Sequence, residues 1–67
     1  MDGAAETGLR AAPRLDAEYN EHCVANGDLV AVSAEEADGA TTFYQIHSHA
    51  DPRVCGWIKA IYVLRGA

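Results

Sequence analysis

Hydrophobic and polar residues alternate along two stretches in the middle of the chain, GDLVAVSAE and TTFYQIHSH. In the first stretch Val30 and Val32 fall on one side of an extended chain, with small or polar residues between them. In the second stretch Tyr44 and Ile46 fall on one side and Phe43 on the other. Alternation with period two, together with β-branched and aromatic residues, is typical of half-buried strands. The pattern therefore predicts two central strands.

The later part of the chain supplies turns and a third strand. The stretch AEEADGA, between the two central strands, combines acidic residues with Asp-Gly and predicts an exposed hairpin loop. The stretch ADPRV begins with an Asp-Pro turn signal, and CGWIKA after it predicts a strand that returns antiparallel. The final IYVLRGA is apolar, β-branched and closed by glycine.

The first third of the chain is less regular. Pro13 disfavours a continuous helix through LRAAPRLDAEYNEHCVAN, so we expect a short strand at 9–11, a long loop, and a strand around 22–24. A helix over RLDAEYNEHCVA is the alternative, because Leu15, Tyr19 and Cys23 fall near helical spacing. Five short strands punctuated by glycine predict an all-β fold, a small barrel of about five antiparallel strands.

Charge along the chain limits the classes of partner. The formal net charge is −5, and no Lys or Arg occurs between Arg14 and Arg53, where eight of the ten acidic residues lie. A nucleic-acid partner is disfavoured, because such binding requires basic residues that neutralise phosphates. The acidic middle favours cationic partners, although acids also serve simply to solvate loops.

The sequence carries no targeting or membrane signal. No stretch has the length and apolarity of a membrane span, and the N-terminal MDGAAETGLR lacks the basic start and apolar run of a secretory signal. We therefore expect no membrane partner, and a cytoplasmic location is weakly favoured. The Ala, Gly and Thr content predicts a flexible lead-in over 1–8.

The order of motifs from residue 9 to residue 65 resembles the SH3-like barrel family, more closely its bacterial-type branch than its eukaryotic signalling branch. In that pattern an arginine and a proline precede a loop, a glycine opens a V-x-V strand, an aromatic pair opens the next strand, and Gly-Trp-Val/Ile precedes a closing tyrosine. The residues at these places are Arg10, Pro13, Gly27, Val30, Val32, Phe43, Tyr44, Ile46, Gly56, Trp57, Ile58, Tyr62 and Val63. The resemblance implies an SH3-like barrel over 9–65.

The resemblance also implies a place for a ligand. In SH3-like domains peptides dock between the first long loop and the hairpin loop. If Tyr44 and Ile46 point inward, Phe43 points outward, where three other rings could join it in an aromatic floor with acidic loops as walls. The expected ligand-binding residues are Tyr19, Phe43, Trp57 and Tyr62 for the floor, and Asp16, Glu18, Glu35 and Glu36 for the walls. Such a surface suits a segment that carries Arg or Lys.

Other chemistry is less well supported by the residues. His47 and His49 form a His-x-His pair on one strand, but structural zinc sites normally show a second spaced pair, so no metal is expected. Cys55 could be paired with either histidine as a nucleophile, yet nothing in the sequence indicates an oxyanion hole or a pocket. The sequence also contains no phosphate-binding loop or paired-carboxylate motif. We therefore expect no enzyme activity, no catalytic residue and no cofactor. Cys23 and Cys55 are predicted to be buried free thiols, with a disulfide between adjacent strands as the alternative.

Together these patterns predict a non-catalytic interaction module for a protein or peptide segment. One alternative keeps the fold and makes the ligand a glycan, since the bacterial-type branch is often attached to cell-wall enzymes. Another is a structural domain docked within a larger, multidomain protein, in which case the same aromatic face would be covered permanently.

Overall fold

The computed structural model describes residues 6–63, which form one antiparallel sheet of five strands followed by a single 3-10 turn. The elements are β1 (Glu6–Arg10), β2 (Tyr19–Ala25), β3 (Val30–Asp38), β4 (Thr41–Ser48), β5 (Cys55–Lys59) and the turn Ala60–Tyr62. The strand order in the sheet is β2-β1-β5-β4-β3. The predicted all-β fold of five antiparallel strands is confirmed, and this small curled sheet is compatible with an SH3-like barrel.

The first third of the described chain follows the preferred interpretation of the sequence. Tyr19–Ala25 is a strand paired with β1, so the alternative helix over RLDAEYNEHCVA is wrong. β1 begins at Glu6, inside the predicted lead-in, and residues 1–5 lie outside the described residues. Residues 11–18, here called the first loop, connect β1 to β2 without regular structure.

The β3–β4 hairpin is longer than predicted. Its strands are paired as far as Asp38 and Thr41, which leaves only Gly39 and Ala40 as the turn. Glu35 and Glu36 therefore lie on a strand, and their expected place in a loop is wrong. The Asp-Gly signal marks the turn itself, where Gly39 has a φ of +62°. The acidic residues before it belong to the strand because pairing with Tyr44 and Phe43 continues past them.

The hydrophobic core lies on one face of the curled sheet. Leu9, Val24, Ile46 and Ile58 are buried and form one cluster, against which Val30, Tyr44, Val54 and Val63 pack. Most of the residues expected to point inward do so. Val32 is the exception at 38% exposure, because it lies on β3, at the margin of the sheet and just before an irregularity between Val32 and Ala34.

Gly56 permits the close approach of β5 to β1 that its position beside Trp57 suggests. A Cβ atom at Gly56 would lie 2.7 Å from the Leu9 Cβ, 3.1 Å from the Arg10 carbonyl oxygen and 2.6 Å from the Asn20 Nδ2. Real Cβ atoms do not come so close to their neighbours, so the sheet can curl at this point only around a glycine.

The segment after β5 is helical and not extended. Ala60–Tyr62 is one turn of 3-10 helix, and residues 64–67 of the apolar IYVLRGA lie outside the described residues. Within 6–63, no helix has the length and apolarity needed to cross a membrane.

Both cysteines are free thiols but exposed, so their predicted burial is wrong. Cys23 lies on the edge strand β2 and Cys55 is the first residue of β5, and neither position places the side chain in the core.

Candidate functional site

Arg10, the last residue of β1, organises the face of the sheet opposite the core. It is paired in register with Tyr19 on β2 and Trp57 on β5, so these side chains share one face. The guanidinium carbon lies 4.9 Å from the centroid of the Tyr19 ring and 5.7 Å from that of Phe43. Both distances are within the range of cation–π attraction. Arg10 therefore connects two of the predicted aromatic residues.

Phe43 points to this face, as alternation requires, but its expected exposure is wrong. The side chain has 0% exposed surface and lies outside the core cluster. Arg10 lies over the ring, and its Nη1 also donates hydrogen bonds to the carbonyl oxygens of Leu15 (3.2 Å) and Ala17 (3.3 Å) in the first loop. Phe43 is thus a second buried anchor of the fold and offers no surface to a ligand.

The first loop is fixed against the tip of the β3–β4 hairpin. The Leu15 backbone N–H donates a hydrogen bond of 2.8 Å to Oδ2 of Asp38, the residue before the hairpin turn. At the base of the loop, the Ala11 N–H donates to the Glu18 carbonyl oxygen at 2.9 Å. These bonds and those of Arg10 hold an irregular segment in one arrangement.

A groove of about 690 Å³ lies between the first loop and the hairpin, and we call it the acidic groove. Its charged lining residues are Arg14, Asp16, Glu18, Glu36 and Asp38. Three of the four carboxylates are exposed, and Asp38 is half-buried because it accepts the Leu15 hydrogen bond. The structure thus brings Asp16, Glu18, Glu36 and Asp38 together in one groove.

Glu35 does not join these residues. It is paired with Tyr44, which packs against the core, whereas Glu36 is paired with Phe43 on the opposite face. Successive strand residues point to opposite sides, so the two glutamates are separated by the sheet. Glu35 is exposed but faces away from the acidic groove.

Tyr19 and Tyr62 line a smaller groove of about 320 Å³ together with Arg10 and Lys59, and we call it the basic groove. Tyr19 is 62% exposed and Tyr62 is 59% exposed. Trp57 is half-buried and lines neither groove. The four predicted aromatic residues therefore do not form one continuous floor.

A third groove, of about 700 Å³, opens beside the core, and we call it the apolar groove. Apolar residues including Leu29, Val32 and Val63 line it, and Leu29 is largely exposed. Sequence analysis did not identify this surface.

The Cys23 Sγ donates a hydrogen bond of 3.4 Å to the Glu6 carboxylate. This bond raises the pKa of the thiol because it stabilises the protonated form, and the negative charge of Glu6 acts in the same direction. Among residues 6–63, no group of three or more His, Cys, Asp and Glu side chains is arranged to hold a metal ion.

Two residues that organise the site were not singled out as site residues from the sequence. Asp38 was expected in the acidic hairpin loop beside the binding surface but not as a hydrogen-bond partner of the first loop, and Arg10 was noted only as part of the family pattern. The signal for Asp38 was its place immediately before a Gly turn, where an Asp often accepts backbone hydrogen bonds. The signal for Arg10 was its place at the end of a strand, before an irregular segment whose carbonyl groups need donors.

Comparison with known proteins gives no relative. No family model, no curated protein and no solved structure matches this chain significantly.

Proposed function

We propose that this domain is a non-catalytic interaction module that binds a protein or peptide segment carrying Lys or Arg. The observation that carries the proposal is the acidic groove, where Asp16, Glu18, Glu36 and Asp38 surround a surface depression with Arg14 as its one basic residue. Several negative charges along one groove raise the local concentration of cationic ligands and accelerate their association.

The groove is also preorganised. The Leu15–Asp38 hydrogen bond and the two bonds from Arg10 fix the first loop before any ligand arrives. Binding then costs less conformational entropy than it would with a free loop of the same sequence. A fixed loop with exposed carboxylates on both walls is therefore suited to a short basic segment.

We further propose that the domain belongs to the SH3-like barrel family. The five antiparallel strands, their order in the sheet, and the first loop lying against the hairpin support this assignment. The resemblance implies that peptides dock between these two loops. Because Phe43 is covered, recognition here would depend on charge more than on an aromatic floor.

Glu36→Gln tests the proposal, with Glu35→Gln as its matched control. The two changes remove the same charge from neighbouring residues, but only Glu36 lines the acidic groove. With a fluorescein-labelled hexalysine peptide and anisotropy as the readout, we expect Glu36→Gln to weaken binding about twofold to fivefold, the effect of losing one exposed charge pair, and Glu35→Gln to change it by less than about 1.5-fold.

The response to salt provides the second readout. Raising the ionic strength from about 0.05 M to about 0.3 M shortens the screening length, so the wild-type affinity for hexalysine should fall several-fold. Equal effects of the two glutamine variants, or binding that is indifferent to salt, would rule out the acidic groove as the binding site.

A structural domain docked in a larger protein is the second candidate, and the apolar groove beside Leu29 favours it. Largely exposed Leu29 and Ile61 are residues that a neighbouring domain would cover. In that case the isolated domain would not bind hexalysine, and Leu29→Ser would abolish association with the neighbouring domain.

A further inference from the structure

The basic groove has two basic lining residues and one acidic one, Glu6, in a chain that is acidic as a whole. Four basic residues lie in the described part of the chain, and two of them, Arg10 and Lys59, line this one groove of about 320 Å³. The chain as a whole carries a formal charge of −5. Two cations beside each other in an acidic protein repel one another, and this cost is offset when an anion lies between them.

Register places the two basic residues on one face of the sheet. Arg10 is paired with Trp57, and Lys59 follows two residues later on the same strand, so both side chains project from the same face. Arg10 is held in place by its hydrogen bonds to the first loop and by the rings on either side of it. Lys59 is half-buried on the same face, where it is paired with Phe43 of β4.

Two tyrosines complete the walls of the groove. The Tyr19 ring packs against β1 where Gly8 has no side chain, since a Cβ atom there would lie 3.1 Å from the ring. Tyr62 lies on the 3-10 turn and contributes the other wall. A tyrosine hydroxyl donates a hydrogen bond to an anion at neutral pH.

Donors remain for a ligand after the internal bonds of Arg10 are formed. In the described structure, its hydrogen bonds use Nη1 twice and Nη2 once, the last at 3.5 Å to the Tyr19 hydroxyl. A guanidinium group has five N–H donors, so Nε and one Nη2 hydrogen are left. Glu6 also lines the groove, and its carboxylate accepts the Cys23 thiol hydrogen bond but keeps its charge, so it opposes an anion and lowers the affinity expected of the two basic residues.

We propose that the basic groove binds a carboxylate group of the partner segment, through Arg10, Lys59 and the hydroxyl groups of Tyr19 and Tyr62. This inference rests on the proposed function and deepens it. The linings of the two grooves are consecutive in sequence at both ends of the first loop: Ala11 and Glu18 line the acidic groove, and Arg10 and Tyr19 line the basic groove. A segment crossing both would carry Lys or Arg on one side and a carboxylate on the other.

A peptide series tests the inference. The reference peptide has four lysines followed by two glycines and two glutamines with an amidated C-terminus, and the second peptide has glutamates in place of the glutamines. We expect the glutamate peptide to bind wild-type protein about threefold to tenfold more tightly, because a carboxylate gains charge-assisted hydrogen bonds. A third peptide, with glutamines and a free C-terminal carboxylate, distinguishes a terminal from a side-chain carboxylate as the source.

Lys59→Gln should reduce the preference for a carboxylate, measured as the ratio of the affinities for the glutamate and glutamine peptides, to less than about twofold. Arg53→Gln is the matched control, since it removes one exposed basic residue outside both grooves and should preserve the preference. Tyr62→Phe, which keeps the ring and removes the hydroxyl, should lower the preference partly. An unchanged preference in Lys59→Gln would overturn the inference.

A titration without any lysine separates this inference from the proposed function. Adding N-acetylglutamate amide to ¹⁵N-labelled wild-type protein should shift the amide resonances of Gly8, Lys59 and Tyr62, and Lys59→Gln should lose these shifts. If those shifts appear while no lysine peptide binds, the carboxylate site stands and the proposed function fails. If the lysine peptides bind and those resonances do not move, the carboxylate site is wrong and the proposed function stands.

Discussion

Gly56→Ala should leave the domain largely unfolded at 25 °C. The new Cβ would lie 2.7 Å from the Leu9 Cβ and 3.1 Å from the Arg10 carbonyl oxygen, and neither atom is the flexible end of a side chain. The φ of +158° at this residue adds a backbone conformation that alanine rarely adopts. Steric overlap and backbone strain together cost about 3 kcal/mol or more, comparable with the whole stability expected of so small a domain. Thermal unfolding followed by circular dichroism measures the loss.

Gly39→Ala is the control that separates the steric effect from the loss of glycine itself. Gly39 also has a positive φ, +62°, but a Cβ atom there would meet nothing within 4 Å. Alanine in this conformation costs about 1 to 2 kcal/mol, which should lower Tm by roughly 5–15 °C and leave the domain folded. If Gly56→Ala were no worse than Gly39→Ala, β5 would not approach β1 as closely as described.

Phe43→Ala should also unfold most of the domain, because the ring is buried away from the main core. Removing a fully buried phenylalanine typically costs about 3 to 5 kcal/mol. The change would also remove the ring over which Arg10 lies, and with it part of the support for the first loop. Phe43→Leu keeps most of the volume and should cost about 1 kcal/mol, with the domain still folded. Chemical denaturation in urea gives both values.

Tyr19→Ala is the matched control for Phe43→Ala. Both rings lie within cation–π distance of Arg10, but Tyr19 is 62% exposed whereas Phe43 is fully buried. We expect Tyr19→Ala to cost about 1 kcal/mol, mainly from the lost cation–π contact. If Tyr19→Ala and Phe43→Ala destabilised the domain equally, Phe43 would be a surface residue, as the sequence pattern first suggested.

The strands could be predicted because their signals are local. Alternation through β4 identifies Ile46 as inward and Phe43 as opposite, and the structure agrees on both directions. Gly27 precedes Asp28 in a turn and has a φ of +95°, as its position suggested. The two hydrogen bonds between Asp28 and Ala25 that close this turn involve residues only three apart. Interactions over such short separations leave a readable trace in the sequence.

The burial of Phe43 could not be predicted, because it depends on residues distant in sequence. Alternation shows which face a side chain occupies but not whether another segment covers that face. The cover here depends on Arg10, 33 positions earlier, and on an irregular loop whose place is fixed by a bond to Asp38. No periodicity marks either contact.

The acidic groove could be predicted only in part. Family resemblance placed the first loop near the hairpin, and charge counting showed that both were acidic. The side of the sheet on which each glutamate lies depends on register, and β3 has an irregularity between Val32 and Ala34. A shift of one residue in the register moves every side chain of a strand to the other face of the sheet. The sequence therefore does not show which of Glu35 and Glu36 faces the acidic groove, and the three-dimensional structure does.

Amide chemical-shift mapping with unlabelled hexalysine peptide and ¹⁵N-labelled protein tests the acidic groove most directly. The largest shifts should fall on Asp16, Glu18, Glu36 and Asp38, which all line that groove. The amides of His47 and Cys55, which are paired with each other on β4 and β5 away from the groove, should remain in place. Shifts spread along the apolar groove beside Leu29, or no shifts at millimolar peptide, would contradict a binding site formed by the first loop and the hairpin.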